Sequence, residues 1–270
     1  MIQNINIPKG IKTVLVTGAS SGIGKAFVSK FAQLGLNCVL VSNQEKELKK
    51  VSQYLEKEYD IKTWILYQDL RDPNSSQKVF NFCKKNNIEI DILVNNAGMI
   101  FFEKLSKLSE QEISSILNLH VHTLTLLTHL FGKEMIKRRK GFIINISSFT
   151  AWTTFPGLHL YNSTKRYIRD FSKSIYYEFR RYNVGVSVVC PSGVNTNFFP
   201  LSENLRKTAI KWNIIISPES VVEKSIRKTF EFKKEIFLRF SDRFFAFLLQ
   251  HLPDWIIFGI MKKLPQFQDK

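Results

Sequence analysis

The stretch KTVLVTGASSGIG, Lys12 to Gly24, decides the fold. Lys12 to Thr17 is a short β-branched run of the kind that forms a buried strand. It passes directly into Gly18-Ala19-Ser20-Ser21-Gly22-Ile23-Gly24, and a helical pattern follows from Lys25 to Leu34. Strand, glycine loop and helix in that order turn a weak glycine motif into a phosphate-binding hypothesis. Gly18 permits a tight turn, Gly22 lets backbone N–H groups approach a pyrophosphate, and Gly24 allows close packing of helix on strand. Ser20, Ser21 and Ile23 share this corner, where the helix N-terminus favours negative charge. The competing reading is an ordinary glycine-rich turn.

Outward from this unit, strand and helix patterns alternate. Asn37 to Val41, Thr63 to Tyr67, Ile90 to Val94, Phe142 to Ile146 and Gly185 to Cys190 read as strands, and Glu235 to Arg239 as a last one. Gln44 to Tyr59, Asn74 to Asn87, Tyr161 to Tyr182 and a segment opened by Ser217-Pro218-Glu219 read as helices. The alternation predicts an α/β fold: a doubly wound parallel sheet of about seven strands, helices on both faces, ligands at the carboxyl ends of the strands.

The polar residues fall at those ends. Ser42-Asn43 stands where the ribose of a bound adenosine would be met, and no carboxylate is there. An acid would bind a free 2′-hydroxyl and repel a 2′-phosphate, so the pair leaves room for NADP, with NAD still open through Glu45 and Glu47. Asp69-Leu70 ends the third strand, where a carboxylate can accept an adenine amino group. Asn95-Asn96-Ala97-Gly98 is a small-residue turn after the fourth strand, and Pro191-Ser192-Gly193-Val194-Asn195-Thr196 follows the sixth.

Ser147 and Ser148 follow the fifth strand; thirteen residues after Ser148 comes Tyr161, and four later Lys165. On a helix the last two lie one turn apart, so an ammonium can sit beside a phenol and lower its pKa. The same spacing occurs on many solvent-facing helices. Ser109 opens a long helical region reaching Lys140 with at most a break, and within it Asn118 interrupts an apolar face, as a kinking asparagine would.

The formal net charge is +16, from 39 Lys and Arg against 23 Asp and Glu, with the bases spread over helix faces. Charge of this kind attracts phosphates, anionic cofactors, nucleic acid or an acidic membrane; nucleic acid would rest on charge alone and is not expected. Cys38, Cys83 and Cys190 form no paired framework, neither they nor the five histidines show metal-ligand spacing, and no metal is expected. The N-terminal MIQNINIPKGIK lacks an apolar core and a small-residue cleavage site, so the cytoplasm is expected.

Taken together, TGASSGIG at Thr17 to Gly24, Asp69, NNAG at Asn95 to Gly98, Asn118 with Ser148, and Tyr161-x-x-x-Lys165 resemble the short-chain dehydrogenase/reductase family over roughly residues 12 to 240. The resemblance implies a Rossmann-type sheet in one catalytic domain over 1–240 with a substrate loop at about 195–216, a nicotinamide cofactor, and hydride exchange with a carbonyl or alcohol. It implies Tyr161 as acid/base, Ser148 rather than Ser147 on the substrate oxygen, Lys165 on the tyrosine and the ribose, and Asn118 supporting a water. It further implies cofactor contacts from Gly18, Ser20, Ser21, Gly22, Ile23, Gly24, Ser42, Asn43, Asp69, Leu70, Asn96, Ala97, Gly98, Tyr161, Lys165, Pro191, Val194 and Thr196. Two departures stand out: Pro191-Ser192 where the family has proline-glycine, a substitution able to strain that turn, and Asn43 where the family usually carries an NADP-marking arginine after the second strand. A cofactor-binding protein without chemistry, or an NAD-linked alcohol dehydrogenase, are the alternatives.

Met99 to Phe102, Phe149 to Phe155 with Trp152, and Asn197 to Leu201 are apolar and stand where a substrate would lie. They favour a lipophilic ketone or acyl carbonyl, against the reading that they pack the core of a chain with 23 phenylalanines. The extension 241–270 holds FFAFLLQHLPDWIIFGIMKKL, Phe244 to Leu264, too interrupted to span a bilayer. Packing on its own domain or within a homodimer or homotetramer is expected, with peripheral membrane contact as the other reading.

Overall fold

The computed structural model describes residues 5–196, Phe198, residues 215–264 and Phe267. In chain order the strands are β1 (Thr13–Thr17), β2 (Asn37–Ser42), β3 (Thr63–Tyr67), β4 (Ile92–Asn95), β5 (Gly141–Ile146), β6 (Val184–Cys190), β7 (Gly193–Val194), β8 (Ile215–Ile216) and β9 (Glu235–Phe237). The helices are α1 (Gly22–Gln33), α2 (Glu45–Glu58), α3 (Ser75–Lys85), α4 (Glu110–Leu117), α5 (Leu124–Arg138), α6 (His159–Arg180), α7 (Pro218–Phe230), α8 (Phe240–Gln250) and α9 (Asp254–Lys263).

Seven strands form one sheet in the order β3-β2-β1-β4-β5-β6-β9, every neighbouring pair parallel. The chain steps outward from β1 to β3, then returns to β4 on the other side of β1. That reversal opens a crevice at the carboxyl ends of β1 and β4, the place where sheets of this kind bind ligands. β7 and β8 pair as a separate two-residue ribbon beyond β6.

The period-2 geometry of β1 divides the core. Val14 and Val16 pack with Phe27, Phe31, Leu48, Leu55, Val221 and Ile226 on one face of the sheet. Leu15 points the other way, joining Val79, Leu127, Phe131, Met135 and Phe179. Each fully buried side chain of this size contributes roughly 1.5–3 kcal/mol by removal from water. Cys38 and Cys83 are buried free thiols within these layers and Cys190 lies in a third cluster with Trp152 and Ile168; burial pushes Cys38 and Cys83 up to about 12.

The long helical region is two helices joined by a π-helical turn. Ser109 caps α4 through a capping box with Glu112, and α4 ends where Asn118 begins a π segment to Thr123. Asn118 is thus the break expected at that position, and π turns of this kind tend to mark functional sites. Trp152 does not line a substrate pocket. It is a core residue, packed on Phe237 at 4.9 Å between ring centroids and covered by the Arg169 guanidinium at 4.3 Å. Most of the expected substrate loop, including Asn197, Phe199, Pro200 and Leu201, lies outside the described residues.

Candidate active site

The carboxyl ends of β1, β2, β4, β5 and β6 surround a cleft of about 800 Å³. Its wall carries every expected catalytic and cofactor-binding residue except Gly24 and Asn118, whereas of the apolar segments expected to face the substrate it carries Met99 and Phe198 but not Ile100 to Phe102 or Phe149 to Phe155. Gly24 lies behind the wall because it is a packing glycine: a Cβ there would fall 2.0 Å from the Gly18 carbonyl oxygen and 2.6 Å from Asn96 Nδ2. Gly18 and Gly22 have φ of 66° and 52°, a region that side chains resist. Ser21 stands at the N-cap of α1 with no side-chain capping bond, and the first turn holds no acid. The first N–H groups of α1 and its positive dipole end therefore meet the cleft, an arrangement that fits a phosphate.

The turn after β4 is clamped to β1. Thr17 Oγ1 accepts the Asn96 and Ala97 N–H groups at 2.9 and 3.0 Å, and the Asn96 amide donates to the Thr17 carbonyl at 2.9 Å. At the end of β2, the buried Ser42 hydroxyl bonds Ser20 Oγ at 2.9 Å and accepts the Gln44 N–H at 3.2 Å. Asp69 is held by Arg71, whose Nε lies 2.9 Å from Oδ2, and this hydrogen bonding lowers the Asp69 pKa.

Ser147 and Ser148 divide their tasks. Ser147 Oγ donates to the Lys165 carbonyl at 2.7 Å, tying β5 to α6. Ser148 caps the short turn Phe149–Trp152, accepting the Thr150 N–H at 3.1 Å, and its hydroxyl also hydrogen-bonds Tyr161. Behind the phenol, Lys165 is buried, donates to the Ile146 carbonyl at 3.0 Å, and lies 5.5 Å from the Tyr161 ring centroid. The pKa values differ from the sequence expectation. Burial pushes Tyr161 up to about 12, the Ser148 bond opposes it, and burial brings Lys165 down to about 8. Desolvation of the buried phenol and of the buried ammonium is the largest cause of each shift.

This juxtaposition of a glycine corner, a clamped NNAG turn and a Ser–Tyr–Lys group on a parallel sheet has a counterpart among known proteins. A family model for short chain dehydrogenases matches residues 12–206. The chain belongs to the short-chain dehydrogenase/reductase family. Members of this family interconvert CH–OH and C=O with a nicotinamide cofactor, so the chain is an oxidoreductase of that type. Among its relatives, the human very-long-chain 3-oxoacyl-CoA reductase is 28% identical over 257 residues, covering 93% of this chain and 78% of that protein. The human inactive hydroxysteroid dehydrogenase-like protein 1 is 27% identical over 244 residues, covering 90% and 72%. A Sphingobium yanoikuyae short-chain dehydrogenase, solved in complex with NADPH, shares the fold with a TM-score of 0.77 at 24% identity, covering 96% of this chain and 99% of that one.

Within this short-chain dehydrogenase/reductase site the structure adds residues that the sequence did not single out. His120, in the π turn, is fully buried; Nε2 accepts the Met99 N–H at 3.0 Å, Nδ1 bonds Thr164 Oγ1 at 2.9 Å, and the ring lies edge-on to Tyr161. Its burial and the nearby Lys165 hold its pKa well below the usual value. Arg71 puts a guanidinium on the same wall as Ser42 and Asn43. Only the position of Arg71 two residues after Asp69 could have flagged it. Ser192 is accommodated without strain, since the described non-glycine residues at positive φ are Asn87, Arg139, Asn183 and Phe232. Its buried Oγ has no protein partner and lies on the cleft wall, an orphan polar atom where a polar ligand group fits.

Proposed function

We propose that the chain is an NADPH-dependent reductase of a lipophilic ketone or acyl carbonyl, with Tyr161 as the acid. The observation that carries this reading is the hydrogen-bonded Ser148–Tyr161 pair on the cleft wall with the Lys165 ammonium behind it. A nicotinamide dinucleotide, when bound, supplies the hydride. Ser148 positions the carbonyl oxygen by hydrogen bonding, and Tyr161 donates the proton that the developing oxyanion requires. Lys165 holds positive charge near the phenol and favours its ionised form once the proton has left. Asn118 shapes the π turn beside this group and supports a water.

The preference for NADPH rests on the absence of a carboxylate at the end of β2, where Ser42 and Asn43 stand, and on the Arg71 cation beside them. The remaining cofactor contacts are those expected at Gly18 to Ile23, Asp69-Leu70, Asn96 to Gly98 and Pro191 to Thr196. Substrate class rests on Met99, Leu119 and Phe198, which give the wall apolar patches, with Phe198 6.1 Å from Tyr161 between ring centroids. Relatives named for very-long-chain 3-oxoacyl-CoA and hydroxysteroids support the same class. The proposed setting is the cytoplasm, as a homodimer or homotetramer.

A second reading has one specific support: a relative is named as inactive. In that case the chain binds a nicotinamide cofactor without turning it over. Following nicotinamide absorbance against long-chain ketones, 3-oxoacyl thioesters and small polar ketones, with NADPH and NADH, tests the proposal. Oxidation of NADPH by the lipophilic carbonyls is expected. Binding of NADPH with no turnover of any carbonyl or alcohol favours the silent reading, and faster turnover of small polar ketones overturns the substrate class.

A further inference from the structure

Helices α8 and α9 are amphipathic in the reverse sense. α8 turns a narrow stripe toward the protein: Asp242 is buried, its carboxylate accepting the Arg239 N–H at 3.1 Å, and Ala246 packs in the cluster of Ala151, Trp152 and Ile168. At 3.6 residues per turn, Phe244, Phe245, Phe247 and Leu248 occupy an arc of about 160° on the other side. They are 60%, 54%, 61% and 45% exposed. On α9, Trp255, Phe258 and Lys262 share a face by their i, i+3, i+7 spacing; the first two are 74% and 57% exposed and the lysine is also exposed. Burial of an apolar helix face ordinarily stabilises a domain, so contiguous exposed aromatics mark a surface that meets something else.

We propose that the aromatic faces of α8 and α9 dock the protein on the surface of an anionic lipid bilayer. At 1.5 Å per residue, helices of 11 and 10 residues are about 15–17 Å long, far short of a ~30 Å hydrocarbon core. A helix lying in the interfacial plane has no such length requirement, and needs aromatic and aliphatic side chains on one face with bases at its rim. Arg243 and Lys262 supply such bases, both exposed. The chain's net charge of +16 attracts anionic headgroups.

The location adds a consequence. α8 rests on the turn that follows Ser148, and Phe267, farther along the extension, lies 5.6 Å from Lys104 Nζ beside a cavity lined by Pro156, Gly157 and His159. The buried side of α8 therefore borders the segments between Ser148 and Tyr161, with the aromatic face on the opposite side of the same helix. The surface itself carries the inference, which does not depend on the substrate class or on turnover.

The test is co-sedimentation of the full chain with vesicles of phosphatidylcholine, with and without phosphatidylserine, against a Phe244→Ser/Phe247→Ser/Trp255→Ser variant. All three positions are exposed, and an unchanged thermal midpoint certifies the variant's fold. The wild type should sediment with the phosphatidylserine vesicles and only weakly with phosphatidylcholine, with a loss of at least tenfold in the variant. Equal binding by both proteins would reduce the effect to charge alone and overturn the proposal. Absence of vesicle binding, or light scattering that shows a wild-type dimer and a monomeric variant without vesicle binding, would assign the face to another copy of the chain or to nothing.

Discussion

His120 and Met99 are joined side chain to backbone: the imidazole Nε2 accepts the Met99 N–H at 3.0 Å. This leaves Nδ1 to carry the proton toward Thr164 Oγ1, whose own hydroxyl donates to the Tyr161 carbonyl at 2.9 Å. One buried ring thus ties the turn after β4, the π segment and the helix of the tyrosine, and its tautomer is fixed by its partners. His120 acts through Tyr161 and Met99, as a positioning residue. His120→Phe keeps the ring volume but leaves the Met99 N–H unpaired, which costs about 1–3 kcal/mol. The pH dependence identifies the histidine. Its folded pKa is depressed well below 6.5, so below that pH the unfolded chain binds more protons and stability falls. Urea denaturation should show that the acid loss of wild-type stability beginning near 6.5 is smaller in the variant.

Tyr161→Phe tests the acid directly. The phenol meets both Ser148 and the cleft, and in the variant the phenyl ring keeps the packing against His120 and Phe198. Turnover should drop by about 10²–10⁴ or more. Binding of NADPH, followed by quenching of protein fluorescence, should change little, and a variant that keeps its kcat would remove Tyr161 from the chemistry.

Ser147 and Ser148 are adjacent, yet their alanine variants should fail in different ways. Ser148→Ala removes the hydrogen bond proposed to the reacting oxygen, and kcat should drop about 10²–10³, with a stability loss of about 0.5–2 kcal/mol from the lost cap on the Thr150 N–H. Ser147→Ala breaks the bond to the Lys165 carbonyl at 2.7 Å, so stability should fall by about 1–2 kcal/mol while kcat/KM is lowered less. Paired steady-state kinetics and denaturation curves separate the two. The opposite pattern would mean that Ser147 faces the substrate.

Much of this site was legible in the sequence because its chemistry sits on short contiguous motifs at strand ends. The glycine corner, NNAG and Tyr161-x-x-x-Lys165 each occupy a few adjacent residues, and the parallel sheet gathers them in one cleft. His120 was not legible, because its role depends on Met99, twenty-one residues away, and Thr164, forty-four away. Trp152 was read toward the substrate, since a local aromatic run cannot show that Phe237 and Arg169 cover it. The spacing of Tyr161 and Lys165 suggested a lowered phenol pKa, whereas the desolvation that instead raises it follows only from burial.

Lys165 links stability and activity in opposite directions. Its folded pKa is near 8 against 10.5 for an unperturbed lysine, because burial disfavours its charge. Between those values the unfolded chain binds the proton and the folded one does not, so this group's contribution to stability rises with pH. Below about pH 8 the folded protein holds a desolvated ammonium that destabilises it. Lys165→Met fills the same space without charge. Relative to wild type, the variant should gain stability at about pH 7, and the gain should shrink by about pH 9.5, although the Ile146 carbonyl loses its donor in both conditions. Its turnover should nevertheless collapse, because the cation proposed to favour ionisation of Tyr161 is gone. Denaturation of the ligand-free proteins at the two pH values, beside initial rates with NADPH, measures both effects. A stability difference that does not vary with pH would show that Lys165 keeps its charge through the whole range.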